Sequence, residues 1–282
     1  MGELVPDRSR PHAWIVRTGG IDQSYVDVDD PTHLEFDYVQ RIADVIDTGF
    51  PPDERITALH IGGAGMTIPR YIAHTRPTSA QIVFEPDALM TQAIREVAPL
   101  GRNSGIKVRE IDGRAGIADI SDDYADLVVI DAFADARTPA KNRTNTDSWG
   151  GPCVPADLIT LEWFEQVRRV LHKNGTVVMN LTDIAPFMYS RRVITGISSY
   201  FSPVVVGAEP STWKGRRLGN LVVSAGGEID PHILVRRASS AVFPYRLLYD
   251  IELKQWLGKV PAYTDEDAEP SPPIVEGPTV FR

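Results

Sequence analysis

Between residues 56 and 181 the chain alternates short β-branched runs with helical stretches, and this alternation constrains its fold more than any other feature. The strand-like runs cover 56–61, 81–85, 107–111, 126–133 and 176–181. Such a pattern predicts a parallel sheet covered by helices on both faces. The clearest helix is predicted over 157–173, where Leu158, Leu161, Phe164, Val167 and Leu171 form one apolar stripe and Asn174-Gly175 supplies a stop. A further helix is predicted over 188–200. The runs 204–206 and 221–224 are joined only by the polar, Gly-containing stretch 210–219, which has no room for a crossover helix. Two strands connected in this way pair antiparallel, so the sheet is expected to end in a hairpin.

Upstream, 14–28 reads as a strand, a tight turn at Gly19-Gly20 and a second strand. Thr32 and Glu35 have capping-box spacing ahead of a helix carrying Leu34, Tyr38, Ile42 and Ile46 and ending at Gly49. Downstream, 264–282 is acidic and Pro-rich, as expected of an extended tail. Three units follow: a β-hairpin and linking helix over 1–50, a catalytic domain over 51–263, and the tail over 264–282. The chain has 282 residues, 43% of them hydrophobic, enough for a substantial core. Its net charge of −9 argues against nucleic acid as a partner. Cys153 is the single cysteine, so no internal disulfide forms, and the six His show no zinc-type spacing, so no metal is expected. No apolar run approaches the ~18 residues of a membrane span, and the first residues are too charged for a signal peptide. A cytoplasmic protein is expected.

Ligands of open parallel sheets bind beyond the carboxyl ends of the strands, so the informative residues sit there. Gly62-Gly63-Ala64-Gly65 follows the first strand and allows the backbone to approach a ligand closely; the alternative is a tight turn without one. Glu85 ends the second strand, about 20 residues beyond that turn, where a carboxylate can accept from both ribose hydroxyls. Asp112 and Gly113 follow the third strand, where Asp112 either accepts from an adenine amino group or caps a helix. Asp131 ends the fourth strand, facing the reacting end of such a nucleoside, where a carboxylate can attract an ammonium and take its proton. Its alternative role is to cap a loop. His60, inside a strand, reads as a packed histidine, and Cys153 lacks a recognisable His partner. Lys214, Arg216 and Arg217 read as a solvated cluster, and Met188, Tyr200 and Phe201 as core.

The order of these motifs, from Gln23 to Val223, resembles the spermidine synthase (polyamine aminopropyltransferase) family. It looks closest to the divergent actinobacterial branch, in which the Gly-rich turn runs into Pro-Arg-Tyr, here Pro69-Arg70-Tyr71. The resemblance implies an α/β fold of the S-adenosylmethionine-dependent methyltransferase-like Rossmann type, consistent with the hairpin ending, preceded by a small N-terminal β-region. It implies decarboxylated S-adenosylmethionine, or S-adenosylmethionine, as co-substrate, with no tightly bound cofactor. By the same resemblance Gln23 contacts the nucleoside, Glu85 its ribose and Asp112 its adenine, Asp131 is the base, and Tyr38 lies near the acceptor amine.

Departures gather where the aminopropyl group and amine belong. Gly65 replaces the Asp that holds the donor's primary amine, Ala134 replaces the second Asp of D-S-S-D-P beside Asp135, and Val39 and Gln40 replace the His and Glu of Y-H-E. Gly65→Asp is therefore expected to favour the decarboxylated donor, provided that the turn accommodates a Cβ. The segment 136–154 is longer than the family's gate and carries Arg137, Lys141, Arg143 and Trp149. The expected function is transfer of an aminopropyl group to a small-molecule amine such as putrescine, compatible with a homodimer. The alternatives are an S-adenosylmethionine-dependent methyltransferase and a catalytically silent nucleoside-binding protein of the same fold.

Overall fold

Side chains of a strand alternate between the two faces of a sheet, and in Leu127-Val128-Val129-Ile130 all four are apolar and buried, so this strand must be covered on both sides. The computed structural model, which describes residues 2–135, 152–227 and 229–274, shows two apolar layers. Val128 and Ile130 join one layer with Phe84, Trp163 and Phe164. Leu127 and Val129 join the other with Ile42, Ile46 and Ile72.

In chain order the elements are β1 (Glu3–Pro6), β2 (Ala13–Thr18), β3 (Ile21–Asp27), α1 (Asp37–Gly49), β4 (Thr57–Ile61), α2 (Thr67–Thr75), β5 (Ala80–Phe84), α3 (Ala88–Val97), β6 (Ile106–Arg109) and α4 (Gly113–Ala118). There follow β7 (Ala125–Ile130), β8 (Ala134–Asp135), β9 (Pro152–Cys153), α5 (Leu161–Val170), β10 (Leu171–Asp183) and α6 (Met188–Tyr200). The last are β11 (Val204–Ala208), α7 (Pro210–Trp213), β12 (Gly219–Gly226), α8 (Pro231–Ser240), β13 (Arg246–Tyr249) and α9 (Asp250–Leu257). The main sheet has the order β13-β11-β12-β10-β7-β4-β5-β6. Strands β4 to β7 and β10 are mutually parallel, whereas β12 pairs antiparallel with both β10 and β11. This is the predicted α/β fold with its antiparallel ending, and β13 extends it by one more antiparallel strand. Among the described residues no helix is long and apolar enough to cross a membrane.

Several boundaries differ from the sequence reading. The N-terminal region is a three-stranded sheet rather than a hairpin, because Glu3–Pro6 pairs with β2. The capping box is not formed: Thr32 bonds Asp30 instead, and α1 begins at Asp37 without a side-chain cap. The helix predicted over 157–173 divides into a single 3₁₀ turn at Ala156–Leu158 and α5, which Thr160 caps by accepting from Trp163 N at 3.1 Å. It ends at Val170, since Leu171 already pairs with β7 at Ala125. Met188 is exposed rather than core, whereas Phe201 is buried.

Residues 264–274 form no helix or strand beyond a turn, yet they are packed across the main fold. Asp265 pairs with Arg114, and Asp267 with Arg192. Ser271 N donates to Val154 O at 3.2 Å and Ile274 N to Pro152 O at 3.0 Å, so this strap lies alongside β9. Strand β9 is itself paired with β8. Arg137, Lys141, Arg143 and Trp149, singled out above, lie outside the described residues, as do residues 275–282 of the predicted tail.

Candidate active site

The parallel ladder continues one residue beyond the strand ends. Gly62 N donates to Phe84 O at 3.0 Å, Glu85 N to Arg109 O at 3.1 Å and Asp131 N to Ile61 O at 3.0 Å. These bonds bring the first glycine of the turn, Glu85 and Asp131 to one edge of the sheet. Gly62 has a φ of +87°, and a Cβ there would lie 2.4 Å from Asp131 O, so only glycine lets the turn pass this close to the end of β7. Gly63 N and Ala64 N both donate to Glu85 Oε2, at 2.8 and 3.2 Å, and Asp87 N donates to Oε1 at 3.0 Å. Glu85 thus braces the turn, with a lone pair left on Oε1 for a ligand hydroxyl.

Asp112 caps α4, its Oδ1 accepting from Ala115 N at 2.8 Å while the carboxylate stays exposed. Gly113 is a packing glycine: a Cβ there would meet Ile61 Cγ2 at 2.2 Å. Gly65 lies against the N-terminal sheet, and a Cβ would meet Val26 Cγ2 at 2.5 Å and Ser24 Oγ at 2.7 Å. The proviso attached to Gly65→Asp is therefore not met, because both neighbours are buried. Thr67 fixes this contact, its Oγ1 donating to Tyr25 O at 2.6 Å and lying 2.9 Å from Ser24 Oγ. The Pro-Arg-Tyr sequence is structural: Pro69 O accepts from Gln81 Nε2, Arg70 Nε donates to Gly65 O, and Tyr71 OH donates to Asp47.

The second half of the site surrounds Asp131. Asn180 Nδ2 donates to Asp131 Oδ1 at 3.0 Å, and Tyr38 OH donates to Oδ2 at a long 3.5 Å. Burial pushes the Asp131 carboxyl up to about 6, against the opposing effect of these two donors. Burial, then the adjacent Asp131 charge, pushes the Tyr38 phenol well above its ordinary value, so it stays a proton donor. Asn180 is buried and its Oδ1 has no partner, which leaves one acceptor unused beside Asp131. Gln23 of β3 lines the same narrow cleft as Tyr38 and Asn180.

Beside it, Asp37 is raised by burial and then by the Glu209 carboxyl, with Tyr245 OH donating to it at 3.0 Å. Burial pushes Glu209 up, but Asp37, Arg217 and Ser211 together hold it below its ordinary value. Of the two carboxylates, Glu209 therefore ionises first and Asp37 keeps its proton to higher pH. Arg217 leaves the predicted solvated cluster for this pair.

Asn180 was not legible as a site residue, because one Asn inside an apolar run carries no motif. The available signal was its place at the carboxyl end of a predicted strand next to that of Asp131. His60 is a packed histidine: burial holds it down to about 4, and Nε2 contacts Gln81 Oε1 at 2.9 Å. Cys153 is buried in β9, with Sγ 3.6 Å from Ala134 O. Among the described residues no group of three His, Cys, Asp or Glu is placed to hold a metal ion.

No protein-family model matches the chain, and no curated protein matches its sequence. Solved structures do match. A probable spermidine synthase from Corynebacterium glutamicum shares 24% identity at a TM-score of 0.80, over 94% of this chain and 92% of that one. A spermidine synthase in complex with the transition state analogue AdoDATO shares 16% identity at 0.53, over 90% and 75%. Human methyltransferase-like protein 13, in complex with SAH, shares 16% identity at 0.54, over 81% and 93%. The chain has the methyltransferase-like Rossmann fold that these proteins share.

Proposed function

We propose that this protein is a spermidine synthase-like aminopropyltransferase, moving an aminopropyl group from decarboxylated S-adenosylmethionine to a small-molecule amine. The observation that carries this reading is Asp131, a half-buried carboxylate held by Asn180 and Tyr38 at the end of β7, directly beneath the Gly62 turn. A group titrating near 6 is mostly ionised at neutral pH yet basic enough to take a proton from an amine nucleophile during attack. In that reaction the neutral nitrogen attacks the carbon next to the sulfonium, an N–C bond forms and the S–C bond breaks. The electron pair returns to sulfur, methylthioadenosine leaves, and the proton passes to Asp131. Glu85 would hold the ribose, Asp112 the adenine, and Gln23 the nucleoside from the N-terminal sheet. The fold from 51 to 263 would carry the chemistry, in a cytoplasmic protein.

A methyltransferase using S-adenosylmethionine itself is the second reading. Gly65 favours it, because the position that needs a carboxylate for the decarboxylated donor's amine is packed on Ser24 and Val26 without one. Incubation with each labelled donor and a panel of amines separates the two. Methylthioadenosine supports aminopropyl transfer, S-adenosylhomocysteine supports methyl transfer, and neither product with measurable nucleoside binding supports a silent binding protein.

A further inference from the structure

The strap touches the site at the start of α4, after β6, which lies three strands along the sheet from β7 and Asp131. There its Asp265 receives both arms of the Arg114 guanidinium, Nη1 donating to Oδ1 at 2.8 Å and Nη2 to Oδ2 at 2.5 Å. Thr160 Oγ1 donates to the same Oδ1 at 2.7 Å, and Asp265 N donates to Glu162 Oε2 at 3.1 Å, so the carboxylate is fixed in place. Arg114 first, and Thr160 after it, hold the Asp265 carboxyl below its ordinary value against the effect of burial, so it keeps its charge at neutral pH. Arg114 itself sits in the first turn of α4, two residues beyond Asp112.

Asp157 completes the cluster. Its carbonyl oxygen accepts from Arg114 Nη1 at 3.1 Å, and its carboxyl is pushed up by burial, with the neighbouring Asp112 charge adding to the effect. Asp112, Asp157 and Arg114 therefore stand together where the base of a bound nucleoside would lie. Adenine carries an amino group at C6, a hydrogen-bond donor, whereas a 6-oxopurine carries an acceptor there. Asp112 Oδ1 is taken by Ala115 N, which leaves Oδ2 to accept from an amino group. A guanidinium free to reach the same atom would donate and so favour the 6-oxo base. In the bidentate pair with Asp265, both Nη atoms are turned to the strap instead.

We propose that Asp265 is a positioning residue that sets base specificity: by holding Arg114 on the strap it leaves Asp112 to read position 6 of the purine, so that a 6-amino base is accepted and a 6-oxo base refused. This inference rests on the reading of Asp112 as the adenine contact. Calorimetry on the full-length protein compares methylthioadenosine with methylthioinosine, which differ at C6 and in the proton on N1. The unmodified protein should prefer methylthioadenosine at least about tenfold. Asp265→Asn, at a side chain 43% exposed, should fold and should lower that preference at least about tenfold, chiefly by tightening methylthioinosine as Arg114 is released. Asp265→Glu, which keeps the charge, should keep the preference. Adding Arg114→Gln to Asp265→Asn removes the released guanidinium and should restore the preference, which a mere loss of strap packing would not do. An unchanged preference in Asp265→Asn, or an equal weakening of both ligands that the double variant does not reverse, overturns the inference and leaves the adenine contact standing. Equal binding of the two nucleosides by the unmodified protein overturns the role of Asp112, and the inference with it.

Discussion

Asp131 stands between two donors that favour its charge and a buried setting that opposes it, and burial dominates. Its folded pKa of about 6 lies above the ordinary 3.8. The native state therefore binds more protons than the unfolded chain between those values, and this group's contribution to stability falls as pH rises through that window. Asp131→Asn should thus lower turnover by ~10² to 10⁴ while melting no lower than the parent above pH 6. In the parent, kcat/KM should rise with pH to a plateau above about 6. Pre-steady-state rates and melting curves across roughly pH 5 to 8 test both. A second residue-scale expectation concerns Gly62. Gly62→Ala combines left-handed backbone with a Cβ 2.4 Å from a carbonyl oxygen, so it should cost about 1 to 3 kcal/mol and weaken methylthioadenosine binding, as calorimetry would show. Gly62, Glu85 and Asp131 were legible because strand ends can be read from hydrophobic runs. The cap role of Asp112 and the packing role of Gly113 were not separable from ligand roles, since the same residue types serve both.

At the scale of elements, the site depends on how α1 and the N-terminal sheet are docked. Arg76 is fully buried and donates to Ile46 O and Phe50 O at the end of α1 and to Asp47, so one guanidinium from the end of α2 satisfies carbonyls that the helix leaves open. Arg76→Ala removes one partner of a buried ion pair and should cost roughly 3 to 5 kcal/mol in chemical denaturation. Because α1 carries Tyr38, the variant should also lose acceptor binding before nucleoside binding. On the opposite side, Gly65→Asp forces a side chain between Ser24 and Val26. We expect it to destabilise by about 1 to 3 kcal/mol and to loosen the N-terminal sheet, visible as faster proteolysis ahead of α1. The helices were legible from their stripes, but their starts were not. Thr32 and Glu35 satisfy the spacing of a cap, yet Asp30, two residues before Thr32, competes for its hydroxyl and amide, and local spacing cannot rank the two.

For the whole molecule, the alternation of runs was sufficient for a parallel sheet with an antiparallel ending, because loop length alone decides whether consecutive strands can run the same way. The packing of 264–274 was not readable. Its Pro-rich, acidic composition is that of a solvated chain, and its attachment depends on Arg114, Arg192 and Val154, all distant in sequence. The order of the strands has a consequence during synthesis. Strand β12 lies between β10 and β11, although both precede it in the chain. Until residues 219–226 leave the ribosome, two apolar strands stand side by side across a vacant slot about 10 Å wide, each with an unpaired row of amides and carbonyls. A nascent chain whose emerged part ends at residue 218 should therefore aggregate or bind a chaperone, whereas one whose emerged part reaches residue 227 should close the slot. Pulse proteolysis of stalled chains of those two lengths would show protection of β10 appearing only in the longer.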